Sequence, residues 1–430
     1  MTTARTHRLS AAVAIAATTG LLISGCAGGA GSAGGGGGGG EAGGGFEFGA
    51  SQEEVDAAIA DLDPVEITYQ AGAQSPNSVS AMNGNQFKEY VEERSGGKVT
   101  VDVVWGQAIA GYAEIVDALG DGRIDVSYAL PIYEPAKFPE FDALTTATAG
   151  MPNSPVLGEM IGNAAVMDNA WNSEELLGTY EELGLTPLTP MISTGSYVSV
   201  CGDDGTTLDD YQGRQIRVAS VAHEAQVQEL GGSPVSMEYV EVFEALQRGT
   251  VDCTFAQMLP SEETGLLEVA KNVSYTTAEN SLSGRSAGAN LAGVGYQNLP
   301  LAYQQIIFDS QMSGFAASNE VISEGTSRGV QQLLDAGGEI TQMEEETDER
   351  IGQTNDELLA EIEDSGVIGS DVTGRTDEAI DKWTQVAEEL GITEEGDFEN
   401  MPEWFNADDY DYDAFAEKVF EETALPHRPN

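Results

Sequence analysis

Residues 208–257 read LDDYQGRQIRVASVAHEAQVQELGGSPVSMEYVEVFEALQRGTVDCTFAQ, and the punctuation of this stretch decides the fold. A short apolar run at 215–219 carries a single arginine, Arg217. About one helix length separates it from the Gly231-Gly232 break and a second short run at 234–236. Val242, Phe243, Leu246 and Gln247 then fall at i, i+3, i+4 spacing, which predicts an amphipathic helix. Gly249 stops that helix, and 251–255 reads as a third strand. The order strand, helix, strand, helix, strand is a wound α/β unit, and such units place their ligands at the carboxyl ends of the strands.

The second half of this unit occurs twice. Residues 114–130 read EIVDALGDGRIDVSYAL and residues 241–257 read EVFEALQRGTVDCTFAQ, an offset of 127 from 114 to 241. Glu114/Glu241, Ala118/Ala245, Leu119/Leu246, Gly122/Gly249 and Asp125/Asp252 are identical at that offset. Each copy is a helix, a glycine stop and a strand. Two such halves imply two similar lobes with a cleft where their strand ends face each other.

Composition narrows the function. The chain has 430 residues, enough for two domains or one large two-lobed one. Its 72 acidic and 18 basic residues give a formal net charge of −54, which excludes nucleic acid as a partner because phosphate binding needs a basic surface. Disorder is not the explanation of the acidity, since 41% of residues are hydrophobic and fall in periodic segments. A globular protein with a solvated acidic face, adapted to strong salt, fits better. Screening at 1 M salt cuts the reach of self-repulsion to about 3 Å.

The N-terminus sets the compartment. Arg5 and Arg8 precede a small-residue apolar stretch at 9–23, the pattern of a secretory signal. Its end, LISGC at 22–26, resembles a bacterial lipobox, which implies lipidation of Cys26 and an extracytoplasmic protein anchored to the membrane. No other segment approaches the roughly 18 apolar residues a membrane helix needs. Residues 27–50 are nearly all Gly, Ala and Ser, with seven glycines at 34–40, and read as a coil tether. The expected organisation is a signal at 1–25, anchor and tether at 26–60, and lobe one at 61–198 with 284–322 returning to it. Lobe two is expected at 199–283 with 323–365 contributing, and acidic helices and a tail at 366–430.

Along the folded part, strands are expected at 65–71 and 99–105, with a helix at 79–94 between them and another opening at Tyr112. Residues 131–165 are rich in proline and small residues, and helix signals resume at 171–183. An extended crossover strand is expected at 186–199, a helix near Glu268, and strands at 273–275 and 287–295. A long helical region should run from 299 to 334, followed by a strand at 339–343 and helices at 348–362 and 375–390. The run DDYDYD at 408–413 invites a calcium reading, but Ala414 and Phe420 stand where such a loop needs Gly and Glu, so it reads as a solvated acidic tail.

The central stretch resembles a known family. The positions Leu208, Gly213, Ile216, Arg217, Val218, Pro234, Val235, Glu241, Val242, Phe243, Ala245, Leu246, Gln247, Gly249, Val251 and Asp252 look like the pattern of DctP-type solute-binding proteins of TRAP transporters. The resemblance implies a two-lobed periplasmic-binding-protein-like α/β fold, each lobe a mixed sheet flanked by helices, with long hinge-crossing segments. It implies transport rather than catalysis, no cofactor, TRAP membrane permease subunits as partners, and a monomeric receptor. In that family the arginine of the I-R-V strand binds the ligand carboxylate, a role that falls here on Arg217. A guanidinium suits it, being a planar fork that matches a carboxylate bidentately.

Two departures bear on the ligand. Where many members have an Asn after the repeat helix this chain has Ala256, with Gln257 one place later. Where some members have a second arginine in the crossing strand, residues 191–200 have none, and Tyr197 lies about there. One charged anchor and aromatic contacts are therefore expected, for a small organic acid or a zwitterionic carboxylate. Tyr69, Trp105, Tyr128, Tyr133, Tyr197, Tyr239 and Phe255 stand near strand ends and are candidates for the cleft wall.

Cys201 and Cys253 are the remaining cysteines and read as a disulfide in an oxidising compartment. Closing a loop of that length contributes about 4 kcal/mol on chain entropy. The histidines, His7, His223 and His427, lack ligand spacing with the cysteines, so no metal site is expected. No nucleophile triad, phosphate loop or dinucleotide fingerprint is visible. An ABC-type solute receptor, with similar lobes and a different membrane partner, stays open as the alternative.

Overall fold

The computed structural model describes residues 44–277 and 280–430. The expected signal, Cys26 and the tether as far as residue 43 lie outside the described residues, whereas the rest of the expected tether is not a coil: it contains the helix Gln52–Ile59, whose Val55 and Ile59 join the core of lobe one. Among the described residues eleven strands form two sheets, and the chain passes between them: β1 (Val65–Gln70), β2 (Val99–Val104), β3 (Val126–Ala129), β4 (Thr186–Ser193), β5 (Tyr197–Cys201), β6 (Gln215–Val218), β7 (Ser233–Ser236), β8 (Cys253–Gln257), β9 (Asn272–Tyr275), β10 (Ser286–Ala292) and β11 (Glu339–Gln342). The first sheet has the order β2-β1-β3-β10-β4 and the second β11-β9-β5-β8-β6-β7. Reversing the second order superimposes the two plans, with β11 as an added edge.

The sequence repeat is a structural repeat. In lobe one β1 pairs in parallel with β2 and β3, and in lobe two β6 pairs in parallel with β7 and β8. The helices Ile115–Gly120 and Val242–Arg248 occupy matching places. Gly122 and Gly249 follow them at φ 77° and 68°, a left-handed conformation that glycine takes without a Cβ penalty, so each helix stops and a strand begins. The repeated aspartates then act alike. Asp125 Oδ2 accepts the Thr68 amide at 2.7 Å, and Asp252 Oδ2 accepts the Gln215 amide at 2.8 Å. Each carboxylate holds a backbone amide of its lobe's central parallel strand, within β1 and at the start of β6.

Antiparallel strands carry the crossings. The expected strand at 186–199 is two: β4 closes the first sheet beside β10, and β5 enters the second between β8 and β9. Gly195 lies between them at φ 106°, and Gly284 stands in the returning segment at φ 92°. Between these bends Arg285 is buried. Its guanidinium donates to Glu159 Oε2 at 2.7 Å, to Ser196 Oγ at 2.7 Å and to the Pro152 carbonyl at 2.6 Å. Glu159 Oε1 accepts the Ser196 amide at 2.7 Å. One ion pair, 2% and 3% exposed, thus holds both crossing segments against the helix Leu157–Trp171.

The third connection is the helix Leu301–Asp335, whose 35 residues reach about 50 Å at 1.5 Å per residue. Its first half (Ala302, Ile306, Phe308, Phe315) lies in the core of lobe one, and its last turns (Val330, Leu333) lie in that of lobe two.

Two expectations fail. The stretch at 131–165 contains the helices Pro139–Thr146 and Leu157–Trp171, the latter buried along most of its length. Small residues suit a helix buried on several faces, and that erases the amphipathic period. The supposed acidic tail is also no tail: Trp383, Met401, Tyr412, Phe415, Val419 and Phe420 join the core of lobe one. Arg428 grips buried Asp309 with Nε and Nη2 at 2.6 and 2.8 Å. Acidic residues cover the outer face of a packed layer. Among the described residues no helix is long and apolar enough to cross a membrane.

Removing one partner of a buried ion pair leaves the other charge uncompensated. Glu159→Ala should lower unfolding free energy by about 3–5 kcal/mol, measured in urea. A loss under about 1 kcal/mol would show that the Arg285 pair does not hold the crossings together.

Candidate functional site

A cavity of about 580 Å³ opens between the lobes, within the usual range for small-molecule sites. Its wall is dominated by aromatic rings: Tyr69, Tyr112, Tyr128, Tyr133, Tyr197 and Tyr239 all line it. Burial pushes the hydroxyls of Tyr69, Tyr112, Tyr128 and Tyr197 above the ordinary tyrosine range, and that of Tyr239 up to about 12. These hydroxyls therefore stay protonated, and the burial that raises them also strengthens a charge interaction made beside them.

Arg217 reaches this wall from β6 and is 1% exposed. Nε donates to the Met237 carbonyl at 3.1 Å, Nη1 to the Phe255 carbonyl at 3.3 Å and Nη2 to the Tyr133 hydroxyl at 3.3 Å. The ring of Tyr239 lies 5.4 Å from its guanidinium carbon. Among the described residues no carboxylate stands within ion-pair distance of it, so it is not half of a structural ion pair. A buried cation without a counter-charge is costly to the fold.

The repeat shows which part of that side chain the scaffold uses. Strand register matches Arg217 with Gln70, since Gln70 faces Ser127 on β3 and Arg217 faces Thr254 on β8. Gln70 Nε2 donates to the Ala110 carbonyl at 2.9 Å, and Ala110 matches Met237 at the same offset of 127. Both bonds tie down the loop before a short 3-10 turn, Tyr112–Glu114 in one lobe and Tyr239–Glu241 in the other. A neutral glutamine does this job in lobe one. The charge in lobe two is surplus to the architecture.

Of the other expected site residues, Tyr128, Tyr197, Tyr239 and Gln257 line the cavity. Gln257 donates to Thr194 Oγ1 at 2.8 Å and so ties β8 to the first crossing. Trp105 and Phe255 do not line it. Phe255 contributes its carbonyl to Arg217, while its ring packs under the sheet against His223, 5.4 Å between centroids. Burial, then the charge of Arg217, pushes His223 down to about 3, so it stays neutral. Tyr128 keeps the wall position because Gly72 and Gly288 leave room for its ring: a Cβ at either would fall 2.8 and 2.4 Å from it. Trp105 instead packs over Gly84. Cys201 and Cys253 face each other on β5 and β8 and are bonded. Sequence reasoning passed over Tyr112, although its match with Tyr239 extends the repeat by two residues.

Comparison with known proteins agrees with this architecture. Residues 70–365 match the family described as bacterial extracellular solute-binding protein, family 7. The chain belongs to this family. A TRAP solute-binding protein from Rhodoferax ferrireducens T118, solved with copurified benzoate, superposes with a TM-score of 0.64 at 20% identity, covering 75% of this chain and 99% of that one. A TRAP periplasmic solute-binding protein from Shewanella oneidensis with bound succinate gives 0.61 at 20% identity, covering 74% and 99%. These likenesses establish the shared two-lobed fold. An uncharacterized protein of Sinorhizobium fredii is 25% identical over 211 residues, which spans 49% of this chain and 37% of the relative.

Arg217→Gln keeps the scaffold bond seen at Gln70 and removes the uncompensated charge. Without ligand, the variant should unfold at a urea concentration equal to or above that of the wild type. A loss of several kcal/mol would show that the guanidinium serves the fold instead.

Proposed function

We propose that this family member captures a small carboxylate-bearing solute outside the cytoplasm and delivers it to TRAP membrane permease subunits, tethered by a lipid on Cys26. The observation that carries the reading is Arg217: a buried guanidinium on a cavity wall, hydrogen-bonded only to neutral oxygens, in a lobe whose twin does the same structural work without charge. A carboxylate supplies the missing counter-charge and accepts in parallel from the remaining N–H groups. Ligand entry needs an open cleft, and the three crossing segments are where a two-lobed protein bends.

The wall favours a monocarboxylate with an aromatic or otherwise flat apolar body. Arg217 is the one cation among the lining residues, and the acidic ones, Glu244 and Glu263, disfavour a second carboxylate. Glu263 is engaged with Ser80, accepting from its amide and hydroxyl at 2.8 Å each. Tyrosine faces supply broad contact at little entropic cost.

The test is a thermal-shift screen at high salt against aromatic, aliphatic and zwitterionic carboxylates. A ligand at 100 times its Kd adds about 2.7 kcal/mol of stability. The shift should appear with aromatic monocarboxylates and vanish in Arg217→Gln. Affinity should also rise as salt rises from low to molar, because salt screens the acidic surface's repulsion of an anion but barely reaches a buried contact. Absence of any carboxylate shift, or a shift that survives Arg217→Gln, would refute the proposal.

A further inference from the structure

Tyr133 occupies a place that the internal symmetry does not require. It ends a short turn, Pro131–Tyr133, at the carboxyl end of β3 in lobe one, anchored by buried Pro131 and Ile132. Its match in lobe two, at the offset of 127, is Pro260, which has no hydroxyl. Tyr133 stands between two residues that the repeat makes equivalent. The ring of Tyr112, from lobe one, meets it edge-on at 6.2 Å, and the amide of Tyr239, from lobe two, donates to its hydroxyl at 3.1 Å. The same oxygen accepts Arg217 Nη2 at 3.3 Å. Both lone pairs of a lobe-one hydroxyl are thus filled by lobe-two donors, and one donor is the anchor cation. The hydroxyl's own hydrogen has no acceptor among the described residues.

We propose that Tyr133 is the lobe-one half of the anion site: it positions the Arg217 guanidinium only when the lobes are closed, and it gives its own hydrogen to the carboxylate that Arg217 binds. This rests on the reading of Arg217 as a carboxylate anchor and adds how that anchor senses closure. In an open cleft Arg217 loses Tyr133 and keeps its two lobe-two carbonyls, so a carboxylate is held from one side only. Closing brings a hydroxyl whose lone pairs face lobe two and whose proton faces the anion. The bound charge therefore strengthens the interlobe contact, and the contact strengthens the grip on the charge. A ligand shifts a conformational equilibrium only by its differential affinity for the two states, and this hydroxyl supplies one.

The test uses the full chain and Tyr133→Phe, which keeps the ring and removes the oxygen. Two quantities are read: hydrogen exchange of the Tyr239 amide without ligand, and the Kd and dissociation rate of benzoate by calorimetry and stopped flow. We expect exchange at Tyr239 to speed up while the unfolding midpoint stays near that of the wild type. Benzoate should bind about tenfold more weakly or worse, as for a lost hydrogen bond to a charged group, mostly through faster dissociation. Unchanged benzoate affinity in Tyr133→Phe, with binding abolished in Arg217→Gln, would overturn the role of Tyr133 and leave the carboxylate reading standing. Unchanged exchange at Tyr239 would overturn it whether or not benzoate binds. Benzoate and the other carboxylates all failing on the wild type would instead strike the reading beneath it.

Discussion

The site turns on a buried cation that no carboxylate of the described protein pairs with. Proteins pair or hydrate such groups because desolvating a charge costs several kcal/mol. Arg217 is 1% exposed and is given three neutral oxygens, enough to orient the guanidinium and too little to balance it. Its neighbours leave it unbalanced: burial, helped by the charge of Arg217, holds His223 neutral, burial raises the tyrosine hydroxyls of the wall, and the carboxylates on the cavity wall are engaged elsewhere or lie outside ion-pair distance. On the proposed reading, an anion completes the site.

Duplication explains how such a site can be tolerated. Each lobe needs its central strand fixed to the loop before the 3-10 turn, and Gln70 and Arg217 both do this by donating to a carbonyl, to which Gln70 Oε1 adds acceptance from the Ile109 and Ala110 amides. Each central strand is also held by an aspartate, Asp125 and Asp252 both accepting one of its amides. With the scaffold secured twice by matching bonds, the two halves are free to differ at their tips. Lobe two takes the charge, and lobe one takes the hydroxyl of Tyr133. The hinge stands apart from this symmetry. Its ion pair joins Arg285 to Glu159, one on the returning segment and one on a long buried helix, so it fixes how the halves meet rather than what each contains.

Much of this could be read from the residues. The offset of 127 foretold the twin lobes, because glycine stops and helical spacing leave a mark that survives substitution. Arg217 stood out because an arginine in a strand flanked by Ile216 and Val218 needs a partner. Other features left no such mark. The helix Leu157–Trp171 is buried on several faces, so its small and apolar residues carry no 3.6-residue period, and the sequence looks like a loop. The C-terminal segment hides Phe415 and Phe420 among acids that only its outer face exposes. Phe255 and Tyr128 occupy equivalent positions, yet only Tyr128 reaches the cavity. What separates them is Gly72 and Gly288, which come from other strands and loops and cannot be paired with Tyr128 by spacing. Tertiary neighbours decide which way a ring at a strand tip turns, and a repeat in one segment does not report on them.

The charge balance places the site in its setting. A chain with a net charge of −54 repels the anion it is proposed to bind, and in dilute solution that field extends over tens of ångströms. Yet the attraction that matters acts over a few ångströms inside a tyrosine-lined cavity, where screening is weaker than at the surface. Salt therefore acts unequally on the two terms: it removes the repulsion at the surface and leaves the contact with Arg217 almost intact. For most proteins that bind anions through exposed basic patches the same salt would weaken capture. On the proposed reading, one unpaired cation on the cavity wall behind an acidic exterior lets the receptor bind a carboxylate in a concentrated electrolyte, and the acidic surface and Arg217 are parts of one electrostatic arrangement.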